Sequence, residues 1–145
     1  MRVLLDINVV LDSLWQRQPW HKGSRLPPAS CSAGAFRVSS DYVSVGYYFL
    51  HRSKGHRHKR GRAAVRRYVA AFDIIAIGRQ TLIDADALPG ADFEDNILIA
   101  AAVASSLNAI ITRNVADFAH APIPVWEPAE LLRRIRSPGP ASPTP

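Results

Sequence analysis

Apolar positions change period along this chain, and each change marks a predicted element. "RVLLD" is a short apolar run stopped by an acid, the pattern of a buried strand in a parallel sheet. "INVVLDSLW" follows without a spacer and switches to helical spacing, predicting strand, tight turn and helix. "QPWHKGSRLPPASCSAGAF" has no period and is punctuated by Pro and Gly, so it reads mostly as loop. "FRVSS" suggests a second strand. "DYVSVGYYFLHRS" sets Val43, Tyr47 and Leu50 on one helical face, and "RAAVRRYVAAF" does the same with Val65, Tyr68, Val69 and Phe72.

The second half is more regular. "DIIAI" predicts a strand, and "RQTLIDADAL" a helix ended by Pro89–Gly90. "DFEDNILIAAAVASSL" is a helix with few charges after its first turn, hence largely buried. "NAIITRN" is another strand, "PIPVW" a short edge strand tolerant of proline, and "EPAELLRRIR" a helix with proline near its first position. "SPGPASPTP", residues 137–145, reads as a disordered tail. No internal repeat is visible. Strands alternating with helices imply an α/β fold whose parallel sheet is covered on both faces.

Composition narrows the class. The 145 residues fit one domain, spanning 1–136, and 48% hydrophobic against 21% charged is globular. A single cysteine, Cys31, provides neither a disulfide framework nor a thiolate zinc cluster. No stretch approaches a membrane span, and "MRVLLDINVVLD" carries acids where a signal peptide would be apolar. The expectation is a soluble cytoplasmic protein with no membrane partner.

Charge changes the picture further. The net charge of +6 points to an anionic partner, with nucleic acid first among the candidates. "HRSKGHRHKRGRAAVRRY" is strongly basic, whereas Asp84 to Asp95 contains acids and no Lys or Arg. Arg52, Lys54, Arg57, Lys59 and Arg60 are candidate phosphate contacts for RNA, set against the plainer reading of a solvated loop and helix face. His56 and His58 alternate like a metal tract, but arginines around them repel cations.

Three acids are placed at one sheet edge by topology alone. Asp6 ends the first strand, and Asp117 follows the strand ending at Thr112. The helix opened by Asp92 to Asp95 runs antiparallel to that strand, which brings its N-terminus to the same carboxyl edge, where such sheets bind ligands. Asp92 fits the N-cap and Asp95 the third helical position, aligned with Leu98, Ile99 and Ala102; Glu94 faces solvent. Each acid has an ordinary explanation as a cap or turn residue, and their joint placement favours a metal site. Crowded carboxylates repel, and a hard divalent cation such as Mg2+ or Mn2+ relieves this with oxygen ligands. Phosphodiester hydrolysis is the reaction class implied.

"VLLDINVVLD", "DFEDNILIAAA" and "AIITRNVADF", in this order and spacing, resemble a PIN domain of the kind found in VapC toxins. The resemblance covers the first two helical turns and about Tyr68 to Ile135. It implies a three-layer α/β/α sandwich with a mostly parallel central sheet, and a Mg2+- or Mn2+-dependent ribonuclease. Asp6, Asp95 and Asp117 would be the catalytic, metal-binding acids, with Asn8 and Thr112 supporting them. Arg113 of the Thr–Arg–Asn element joins the candidate RNA contacts. A cognate antitoxin and a second copy of the chain are the implied protein partners.

The chain departs from the family pattern in places. Ile7 stands where Thr or Ser is usual. The Glu often found on the third helix is replaced by Val45 or a neighbour, and Asp41 has the wrong spacing. Asn114 sits where other branches carry Asp, which leaves it a supporting residue beside Asp117. Residues 21–62 interrupt the motif-rich flanks with Pro-, Ser-, His- and Arg-rich text, the pattern of a locally frameshifted coding stretch. The rival function is a weak or inactive PIN-like module that binds RNA or protein through its basic segment; a metal phosphatase is a third reading.

Overall fold

A computed structural model of the chain describes residues 1–15, 36–40, 63, 65, 66, 69, 70 and 72–136. The helix expected at 41–53, the loop before Phe36, the tail and the basic residues Arg52, Lys54, Arg57, Lys59 and Arg60 lie outside the described residues. So does most of the 21–62 stretch read as frameshifted, apart from the strand inside it.

Five strands form one sheet: β1 (Arg2–Leu5), β2 (Phe36–Ser40), β3 (Asp73–Ile75), β4 (Ala109–Ile111) and β5 (Val125–Trp126). Their order is β3-β2-β1-β4-β5, and every pairing is parallel. The helices are α1 (Ile7–Trp15), α2 (Arg79–Asp86), α3 (Phe93–Ala104) and α4 (Pro128–Arg136), with a 3-10 turn at Val115–Phe118. Residues 63, 65, 66, 69 and 70 are helical as well. The architecture is a three-layer α/β/α sandwich.

Central strands in such a fold are apolar throughout because helices cover both faces. Val3, Leu4 and Leu5 of β1, and Ala109, Ile110 and Ile111 of β4, are accordingly buried. α3 buries seven consecutive residues, Asn96 to Ala102. Leu98, Ile99 and Ala102 join the sheet's core, while Ile97 and Ala100 pack with Ala85 of α2. This explains why the helix has no polar stripe after its first turn.

α3 ends where Ser106 adopts a left-handed φ of 51°. The Leu107 amide then donates to the Ala102 carbonyl at 3.0 Å and the Ser106 amide to Val103 at 3.0 Å. That reversal sends the chain straight into β4. Among the described residues no helix is long and apolar enough to cross a membrane.

The order has one consequence for function. From β1 the chain moves outward through β2 and β3, then returns to β4 on the other side of β1. The crevice at the carboxyl ends of β1 and β4 is therefore the switch point, the usual binding position in open parallel sheets.

Candidate active site at the carboxyl edge of β1 and β4

Register builds the first part of the site. Leu5 pairs with Ile111, so the residues that follow, Asp6 and Thr112, stand side by side at the switch point. Both are buried. The Thr112 hydroxyl donates to Asp6 Oδ2 at 2.7 Å. It accepts from Asn8 Nδ2 at 3.3 Å and from the Asn114 amide at 3.1 Å. A hydroxyl has one proton and two lone pairs, so Thr112 is fully used. Asn8 Oδ1 in turn accepts from the Arg113 amide at 3.4 Å. The end of β1, the start of α1 and the loop after β4 are thereby tied together.

Burial raises the Asp6 pKa above the ordinary carboxylate value. The Thr112 hydroxyl, the amides of Asn8 and Ile7, and the charge of Arg113 pull the other way. Asp6 thus accepts from the first turn of α1, as a cap does, at the carboxyl edge of β1.

The α3 N-terminus supplies the next acids. Asp92 is the N-cap and accepts from the Glu94 amide at 2.8 Å, as its position in the sequence suggests. Glu94 is exposed. Asp95 is half-buried, and its pKa is pushed up to about 6. Burial is the largest cause, followed by the charges of Asp92, Asp6, Asp117 and Glu94. Asp95 thus senses the two acids that come from distant parts of the chain. Asp117 lies exposed on the 3-10 turn, where the sequence suggested only loop.

Convergence is not enclosure. Among the described residues no three His, Cys, Asp or Glu side chains are gathered closely enough to hold an ion by themselves. The donors are nevertheless hard oxygens, which suit Mg2+ or Mn2+; magnesium usually keeps several waters and takes only one or two carboxylates directly. Asp95 is half-buried and Asp117 exposed, which fits that habit.

Arg113, a candidate RNA contact from its motif, lies beside α1. Its Nε lies 3.1 Å from Asp12 Oδ2, with the Arg113 side chain 25% exposed and Asp12 fully buried. Sequence reasoning missed Asp12, although it sits four residues after Asn8 on the same face of α1. It also missed Asn96 and His120, whose Oδ1 and Nε2 are 2.9 Å apart. Nothing in the motif pattern marks that pair.

A family model described as PIN domain matches residues 2–116. The chain belongs to the PIN domain family. Solved structures with the same fold extend over nearly all of this PIN domain. A toxin–antitoxin complex from Klebsiella pneumoniae is 27% identical, covers 87% of this chain and 97% of that one, and superposes with a TM-score of 0.63. VapBC2 from Rickettsia felis, bound to a DNA fragment from its promoter, is 13% identical with coverage of 88% and 98% and a TM-score of 0.66. VapC20 of Mycobacterium tuberculosis, described as a Sarcin-Ricin loop cleaving toxin, is 12% identical with coverage of 84% and 98% and a TM-score of 0.59. A comparison with curated protein sequences found no significant match.

Proposed function

We propose that this PIN domain is a Mg2+- or Mn2+-dependent endoribonuclease and the toxin half of a toxin–antitoxin pair. The observation that carries the reading is Asp95, whose carboxyl is pushed up to about 6 by burial and by the charges of Asp92, Asp6, Asp117 and Glu94. A chain gains nothing in stability from pressing these acids together, so the arrangement points to a cationic ligand. Asp6, Asp95 and Asp117 would hold the cation. Thr112 and Asn8 keep Asp6 fixed, and the Asn114 amide anchors the loop that leads to Asp117. When bound, the cation would polarise a phosphodiester and activate water for attack.

Partner assignments rest on the similar structures, several of which are toxin–antitoxin complexes. An antitoxin that covers the acidic crevice would silence the enzyme. A second copy is the other proposed partner, and the exposed Leu82, Ile83, Phe93 and Val103 of α2 and α3 offer it apolar surface.

Cleavage of a single-stranded RNA tests the proposal. The wild-type chain should cut with Mg2+ or Mn2+, stop with EDTA, and resume when the metal is restored. Asp95→Asn should abolish cutting while RNA binding survives. Wild-type protein that binds RNA but never cuts it under any of these conditions would instead favour the inactive binding module.

A further inference from the structure

Asp95 and Asp117 reach the crevice from different elements, one from the first turn of α3 and the other from the 3-10 turn after β4. Two charged residues placed this way repel, so something must fix their separation. One residue beyond Asp95, the buried Asn96 turns its amide to the loop before α3. Its Nδ2 donates to the Gly90 carbonyl at 3.0 Å and the Leu88 carbonyl at 3.4 Å. Since the nitrogen faces two carbonyls, the oxygen must face His120, and the His120 Nε2 must carry the proton it donates. His120 itself is set on the tail of the 3-10 turn by the Ala119 amide bonded to Ala116 and the Ala121 amide bonded to Phe118.

Gly90 completes the contact. A Cβ there would overlap Asn96 Oδ1 and the His120 ring, so any larger residue must push one of them aside. Three segments, the loop before α3, α3 itself and the turn bearing Asp117, therefore meet at one side-chain amide.

We propose that Asn96 and His120 form a clasp that sets the Asp95–Asp117 separation for the cation, making both of them positioning residues. This rests on reading those acids as the metal's ligands. A hydrogen bond made directly to a metal ligand typically carries about ten- to a hundredfold in metal affinity. Asn96 and His120 bond to neither carboxylate and act through the backbone, so a smaller loss, up to about tenfold, is expected. Either the neutral Nε2–H tautomer or the imidazolium donates to Asn96, so the clasp does not depend on the charge of His120.

The full chain serves for the test, with Mn2+ alone as the probe. His120→Leu removes the donor at similar volume, and His120→Gln keeps an N–H donor at comparable reach. Amide exchange without metal reports the clasp directly, and Mn2+ titration by calorimetry reports its effect. In His120→Leu, exchange of the Val115–Phe118 turn should rise and Mn2+ affinity fall several-fold, up to about tenfold. His120→Gln should restore both. Unchanged exchange, or faster exchange with wild-type Mn2+ affinity, overturns the clasp while leaving the ribonuclease reading intact. A wild-type chain that takes up no Mn2+ overturns the metal reading itself and the positioning role with it. If His120→Leu does not fold, Gly90→Ala provides the same comparison, and wild-type affinity in that variant overturns the clasp.

Discussion

The Thr112 hydroxyl carries three hydrogen bonds at a position with no solvent. Replacing it with Val leaves Asp6 Oδ2 without that donor in a buried place, where an unmet polar group costs about 1–3 kcal/mol. Urea unfolding of Thr112→Val should show a loss of this size, and Thr112→Ser should recover most of it. Asp95 behaves in the opposite sense. Its pKa in the folded chain is about 6 against an ordinary 3.8, so the folded state binds its proton more tightly than the unfolded one. Ionising Asp95 therefore costs stability, and the cost grows as pH rises from about 4 to about 6 and is absent below. In EDTA, Asp95→Asn should unfold at higher urea than wild type at pH 7, with the gain fading as pH falls toward 4. Equal midpoints at pH 7 contradict this. Sequence alone placed Asp6, Asp95 and Asp117 at one sheet edge, because Asp6 follows a strand, Asp95 lies in the first turn of a helix and Asp117 follows the strand ending at Thr112, positions that topology orders. Asp12, Asn96 and His120 escaped notice, since their partners are set by helix phase and loop path rather than by spacing.

Among elements, α1 and the loop after β4 are joined by Asp12 and Arg113, with Asp12 fully buried. Removing one partner of a buried ion pair strands the other charge, at about 3–5 kcal/mol, whereas an apolar pair of similar volume is often neutral. Arg113→Met should destabilise strongly, nearer the lower figure because Arg113 is partly exposed, and adding Asp12→Leu should return most of the loss. Urea midpoints of the two single variants and the double variant decide it. A milder prediction concerns the end of α3. Ser106 holds a left-handed φ of 51°, which L-residues adopt at a cost of roughly 1 kcal/mol and glycine does not. Ser106→Gly should raise thermal stability accordingly. Element type was largely legible: the two-sided burial of β1 and α3 shows as unbroken apolar runs, and Pro128 opens α4 as its sequence suggests. Element ends were not. β3 and β4 stop after three residues each, and the segment bearing Asp117 is a 3-10 turn rather than open loop. Both differences arise from pairing and local hydrogen bonding, which a one-dimensional pattern does not encode.

For the whole molecule, strand order decides where chemistry can occur. Placing β1 between β2 and β4 creates the switch point, and the Leu5–Ile111 register delivers Asp6 and Thr112 to it. α3 then returns across the sheet with its acidic end at the same edge, within electrostatic reach of Asp6 and Asp117. The fold thus concentrates negative charge that its own stability does not require, and the proposed function needs one divalent cation shared by the three aspartates. Anomalous diffraction from crystals grown or soaked in Mn2+ would decide whether that cation is there. A manganese peak is expected in the crevice, with carboxylate oxygens of Asp6, Asp95 and Asp117 around it, directly or through one water. Crystals that show manganese only elsewhere, with those three side chains turned apart, would contradict it.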